Sequence, residues 1–146
     1  MRTPPAAPAV VQLVTLRCLG RDNTSGRLHA RFEYETEDPW AVWIRFGERE
    51  SSIRWGLARH LLAEGLTDPA GDGDVQLWPG TDKDGHSVVV MEFRSPDGRL
   101  IAEAPTRDVY RFLTRSLAVV PAGSEADHLD LDALIADLLD TSRTSE

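Results

Sequence analysis

The 146-residue sequence predicts an α+β domain in which an antiparallel β-meander runs into a helix, twice over. Three observations carry this. Short stretches alternate apolar and polar residues with period two, as half-buried strands do. Pro, Gly and Asp clusters punctuate them at turn spacing. Twice a strand passes directly into a helical pattern, first in SIRWGLARHLLAEGL and then in RLIAEAPTRDVYRFLTRSL. The repeat lies in the order of elements, since residue identity between the halves is low.

Each element has its own warrant. After a Pro/Ala-rich leader (residues 1–8), Val11, Leu13 and Thr15 alternate with Gln12, Val14 and Leu16 as a first strand. Arg27 to Glu35 alternates cleanly, with Leu28, Ala30, Phe32 and Tyr34 pointing one way. Asp38-Pro39 punctuates, because proline pushes its predecessor out of the helical region. Ala41 to Phe46 is the third strand, and about Glu50 to Trp55 the fourth. Leu57, Ala58, Leu61 and Leu62 then predict a short helix, with Gly65 as its C′ residue. Thr67 to Asp74 carries too much Pro, Gly and Asp for regular structure. Val75 to Trp78 reads as a short strand closed by Pro79-Gly80, and Ser87 to Arg94 as a strong one.

Asp97-Gly98 predicts a tight hairpin onto Arg99–Ala104. A helix over about Pro105–Leu117 follows, with proline suited to its first turn and Val109, Phe112, Leu113 and Leu117 as its stripe. A last helix, about Asp130–Leu139, turns Leu131, Leu134, Ile135 and Leu138 inward. The single domain spans residues 9–140, and the tail 141–146 reads as disordered.

Composition narrows the function classes. With 41% hydrophobic residues the chain can fill a core without metal or disulfide staples. No apolar run approaches the ~20 residues of a membrane span. Pro4, Pro5 and Pro8 precede the first apolar stretch, and Gln12 and Arg17 interrupt it, which argues against a signal peptide, so the reading is a cytoplasmic protein. Its net charge of −8 has the wrong sign for blanketing phosphates. That charge is uneven, +2 over residues 1–60 and −10 over 61–146.

Tests for chemistry come back empty. The sequence lacks a G-x-S-x-G elbow, a P-loop, G-x-G-x-x-G and H-E-x-x-H. Cys18, in an apolar strand with no local charge partner, reads as an inert thiol. His29, His60, His86 and His128 are scattered, without metal-ligand spacing. Asp82-Lys83-Asp84-Gly85 resembles part of a calcium loop but has Gly80 and Met91 where that loop needs acids, so a hairpin turn is the better reading. Asp127, Asp130 and Asp132 suit the start of a helix. No catalytic, cofactor or metal residue is nominated. Arg27, His29 and Arg31 offer a face for single-stranded nucleic acid, with Phe32, Trp40 and Trp43 to stack bases, but Glu33, Glu35, Glu37 and Asp38 come immediately after. Recognition therefore falls to tryptophans at strand ends, Trp40 and Trp78, as partner-binding anchors.

The pieces YETEDPWAVWIRF, IRWGLARHLLAEGLTDPAGDGDVQLWP, FRSPDGRLIAEAPTRDVYRFLTRSLAVVPAGSE and HLDLDALIADLL, in that order, resemble the SsgA-like sporulation and cell-division proteins of filamentous actinomycetes. The resemblance covers about residues 9–140. Its most specific parts are DPWAV, W-x-x-A-R-x-L-L-x-E-G-L and V-P-x-G-x-E, and LLAEGLTDPAGDGDVQLWP matches the wording of the SsgB branch. It implies a whirly-like fold of two antiparallel sheets with packed helices, assembled as a homotrimer. It also implies a non-enzymatic adaptor at the division septum that recruits the tubulin-like GTPase FtsZ and works with SsgA-type relatives. No small-molecule substrate, cofactor or membrane insertion belongs to that picture. The alternative is a single-stranded nucleic-acid-binding protein.

Overall fold

The computed structural model describes residues 8–19, 25–47 and 54–128, together with Leu139. The leader through residue 7, most of the expected last helix and the tail lie outside them. The first meander comprises β1 (Val10–Leu19), β2 (Ser25–Tyr34), β3 (Ala41–Phe46) and β4 (Arg54–Ala58), followed at once by α1 (Arg59–Glu64). The second comprises β5 (Ala70–Asp72), β6 (Val75–Thr81), β7 (Ser87–Ser95) and β8 (Gly98–Pro105), followed at once by α2 (Thr106–Val119). A 3-10 turn, Glu125–His128, comes last. The duplicated meander-plus-helix order is thus present in full.

The expectation of two sheets is corrected. All eight strands form one antiparallel sheet in the order β4-β3-β2-β1-β8-β7-β6-β5. The two meanders meet at a seam only two residue pairs long, Arg17↔Glu103 and Cys18↔Ala102. Pro105 explains the short seam. It has no N–H to continue the ladder, and β8 turns into α2 directly after it.

The sheet also rolls up. Strands β4 and β7 stand five positions apart, about 24 Å in a flat sheet. Yet the Trp55 and Phe93 ring centroids are 5.4 Å apart, and those of Phe46 and Phe93 5.1 Å. The sheet is therefore a half-barrel whose inner face holds the core, including Val14, Leu16, Phe32, Tyr34, Ile44 and Met91. Alternation in β2 and β3 groups Phe32 with Tyr34, and Ile44 with Val42, on one face each, as the sequence predicts, and that face is the buried one. Helix α2 plugs the barrel with Val109, Phe112 and Leu113, and Phe112 meets Phe32 edge-on at 5.5 Å. Helix α1 closes the gap between the outer strands with the fully buried Leu62.

Several local expectations shift for physical reasons. Leu57 and Ala58 belong to β4, because the inward alternation of Trp55 continues to the buried Leu57. Gly65 is right-handed (φ −63°), so it is no left-handed cap. It is glycine because a Cβ there would stand 2.9 Å from Leu77 Cβ, where α1 presses on β6. Pro79 and Gly80 continue β6 instead of closing it, since β5 pairs only Val75–Leu77 and leaves the proline on an edge. Within Thr67–Asp74 a three-residue strand, β5, does form, turning through Gly73 at φ +64°. The hairpin between β7 and β8 is closed by the Ser95↔Gly98 pair, so Pro96-Asp97 form the turn and Gly98 comes after it at φ +143°. Leu117 is partly exposed, and Ser116 takes its place on the buried stripe of α2, its Oγ satisfied by Leu113 O at 2.8 Å.

Candidate functional site

The loop between β2 and β3 is built to hold one aromatic ring in the open. Tyr34, buried at the end of β2, donates its hydroxyl to Pro39 O at 2.8 Å. The Arg59 N–H donates to Trp40 O at 2.7 Å, and Trp43 Nε1 to Asp38 Oδ2 at 3.1 Å. Asp38, Pro39 and Trp40 are thus each held from a different element while 46% of Trp40 stays exposed. Beside it lies a cleft of about 400 Å³ lined by Trp40, Trp43, Leu57, Leu61, Val75 and Leu77. It occupies the gap of the half-barrel, between β4 and β6, with α1 as its floor. Trp43 forms one wall by lying over Gly56, where a Cβ would come within 2.7 Å of its ring, and the Arg54 guanidinium stacks on the same ring at 3.9 Å.

Trp78 stands on the neighbouring strand face, half-buried opposite Val90. A second, more open cleft of about 610 Å³ includes Trp78, Gln76, Glu92 and Arg94. Both clefts share Leu61 and Leu77 as a common wall. The two tryptophans nominated from sequence therefore flank one apolar ridge. Sequence reasoning missed the ridge itself, because Leu61 and Leu77 come from different meanders and only the rolled sheet brings them together. Gly56 carried the available signal: a glycine inside a strand marks close approach.

Behind the loop, Arg59 is a buried hub. Its Nη2 bonds Glu125 Oε1 at 2.9 Å, its Nη1 bonds Ser116 O at 3.2 Å, and its guanidinium lies 4.8 Å from the Tyr34 ring centroid. Burial raises the Tyr34 hydroxyl above its ordinary pKa, with Arg59 opposing. Glu125 is held below the usual carboxylate range, first by a backbone N–H at its own position and then by Arg59.

Burial pushes the Cys18 thiol up, away from the thiolate a nucleophile needs. Asp82, Asp84 and His86 bring ligand atoms within 4.8 Å of one another, but Asp82 Oδ1 already accepts the Asp84 and His86 N–H groups of the turn. Arg27, His29 and Arg31 are exposed together on the outer face of β2, as a nucleic-acid face requires. Phe32, however, is fully buried and stacks on nothing outside. No helix among the described residues is long and apolar enough to cross a membrane.

Comparison with known proteins agrees with this architecture. Residues 28–125 match the family described as Streptomyces sporulation and cell division protein, SsgA. The sporulation-specific cell division protein SsgB of Kineococcus radiotolerans is 47% identical over 111 residues, 75% of this chain and 67% of that protein. SsgB of Streptomyces coelicolor is 41% identical over 125 residues, 85% of this chain and 90% of that protein. A solved structure from work on SsgB mutations and longitudinal cell division in S. coelicolor superposes with TM-score 0.76 at 40% identity, covering 82% of this chain and 94% of that one. The SsgA-like sporulation-specific cell division protein of Thermobifida fusca gives TM-score 0.77 at 33% identity, covering 88% and 93%. This chain belongs to the SsgA family of sporulation and cell division proteins.

Proposed function

We propose that this chain acts in sporulation-specific cell division as a non-enzymatic adaptor. In this reading it works in the cytoplasm at the division septum as a homotrimer, recruits the tubulin-like GTPase FtsZ and cooperates with SsgA-type relatives. The names of its relatives support the process, and the exposed Trp40 ring over an apolar cleft supports the adaptor role. Rigid aromatic anchors beside apolar clefts dominate protein interfaces, while rim charges add little. The chain's −8 charge adds that attraction to another acidic protein must come from apolar contact.

The test is binding of purified FtsZ to the full chain and to Trp40→Ala and Trp78→Ala. Each substitution weakens binding by at least about tenfold, while light scattering still gives a trimer and thermal unfolding is unchanged. Wild-type affinity in both folded variants places the contact elsewhere. One observation favours a second reading, a single-stranded nucleic-acid binder: Arg31, Arg45 and Arg54 stand abreast on three adjacent strands. Glu33 takes up Arg45 at 2.8 Å and Glu35 takes up Arg54 at 3.5 Å, which spends most of that charge. Salt-dependent retention on single-stranded DNA near physiological ionic strength would restore this reading.

A further inference from the structure

Three stretches far apart in the sequence meet behind the Trp40 loop: Asp38-Pro39-Trp40, the start of α1 at Arg59, and the turn Pro121–Glu125. Arg59 touches all three. Its backbone N–H reaches Trp40 O at 2.7 Å. Its guanidinium lies against the ring of the fully buried Tyr34, whose hydroxyl holds Pro39 O. One residue therefore grips the loop twice, once through its backbone and once through Tyr34.

Burying that guanidinium creates a demand. Arg59 is 4% exposed, and among the described residues Glu125 supplies its only carboxylate, at 2.9 Å. Ser116 O, at 3.2 Å, also takes the Val120 N–H at 2.9 Å, so it is a shared acceptor. A buried charge deprived of its counter-charge is strongly unfavourable, and a long basic side chain escapes by swinging its head to water. Such a swing takes the guanidinium off Tyr34 and disturbs the residue whose N–H holds Trp40 O.

Glu125 is built to meet the demand. Its Oε1 accepts from Arg59, and its Oε2 accepts the Gly123 N–H at 2.8 Å in a turn that Gly123 makes at φ +92°. Ser124 closes the turn, with its N–H at 3.0 Å and its hydroxyl at 2.7 Å both donated to Pro121 O. Val120, fully buried, roots the segment in the core just before it. The carboxylate is thus fixed by its own turn before it meets Arg59, whereas a surface ion pair leaves both side chains free to move.

We propose that Glu125 and Arg59 are a positioning pair for recognition. The turn after α2 sets Arg59, and Arg59 sets the backbone that holds the Trp40 ring beside its cleft. A residue 66 positions beyond Arg59 in the chain thereby governs an anchor in the first meander. What the ring binds rests on the adaptor reading; how the ring is held rests on this geometry alone.

The experiment is amide hydrogen exchange on the full chain, comparing Glu125→Ala with Gly98→Val, a change in the distant β7–β8 hairpin. Two amides report on the loop: the Arg59 N–H on Trp40 O, and the Ala41 N–H on Asp38 O. In Glu125→Ala both exchange at least about tenfold faster, a larger gain than in the β1–β2 and β7–β8 ladders. In Gly98→Val they gain no more than the ladders do. If Glu125→Ala does not fold, Glu125→Gln, which keeps one acceptor oxygen, carries the same comparison. Uniform acceleration, or none at the two amides, overturns the proposal, because Glu125 would then not act on the loop. A second arm reads binding of purified FtsZ. Glu125→Ala weakens it severalfold in the otherwise wild-type chain and leaves it unchanged in a Trp40→Ala background, since the loss runs through that ring. Equal losses in both backgrounds also overturn the proposal. Failure of the wild-type chain to bind FtsZ removes the adaptor reading, and the exchange comparison still decides the positioning.

Discussion

Gly56→Ala isolates the wall of the Trp40 cleft. Gly56 has no positive φ, so its backbone suits any residue, and alanine inside a strand would ordinarily gain roughly 0.5–1 kcal/mol over glycine. Here the new methyl would come 2.7 Å from the Trp43 ring, which must shift to admit it. That shift works against the Nε1 bond to Asp38 at 3.1 Å, about 1 kcal/mol, and the Arg54 stack at 3.9 Å, about 0.5–1 kcal/mol. Residual overlap adds about 0.5 kcal/mol or more, toward the low end of overpacking costs. The balance is a net loss of about 1–2 kcal/mol, or some 3–6 °C in Tm for a chain of this length. Urea and thermal unfolding of Gly56→Ala measure it, with Trp43→Leu as the second arm of a double-mutant cycle. In the Trp43→Leu background the same alanine becomes neutral or stabilising. A Gly56→Ala variant more stable than wild type would refute the reasoning, because Trp43 would then not be locked in place.

Gly98→Val forces a β-branched residue to φ +143° directly after the Pro96-Asp97 turn, and thermal unfolding should show a loss of about 1 kcal/mol or more. Acid should weaken the Arg59–Glu125 clasp. Glu125 is depressed in the folded state, so its contribution is present above its unfolded pKa of about 4.3 and is lost as pH falls through the lower folded value. Unfolding midpoints between pH 6 and about pH 3 should therefore fall more steeply in the wild type than in Glu125→Gln.

Local pattern was enough to place most of the strands and α2, and three-dimensional closure was not. The alternation of Leu28, Ala30, Phe32 and Tyr34 states which face of β2 is buried, because a strand's inward face repeats every second residue. The rolling of the sheet depends on Trp55, Phe46 and Phe93 meeting across strands that are distant in order, and nothing local in the sequence encodes that meeting. Leu57 reads as helix on spacing alone, since one leucine satisfies both periods, and β4 claims it through the core. The place of Trp40 after Asp38-Pro39, at a strand end, was legible, and the structure leaves the residue 46% exposed. Its partner ridge, Leu61 and Leu77, was not, for the same reason that the single sheet was not: both depend on where the second meander lands.

The two-pair seam gives the half-barrel a division of labour in folding. Within each meander every strand pairs with its sequence neighbour, so the ladders close short loops and form from local contacts. Arg17↔Glu103 and Cys18↔Ala102 join positions more than eighty residues apart, and their loop-closure entropy must be met before two pairs and the packing of Phe93 can repay it. The topology predicts that the two ribbons assemble first and that their docking, which brings Leu61 to Leu77, comes later. Amide exchange should resolve them as two cooperative units, with the wall shared by the two clefts existing only when both are closed together.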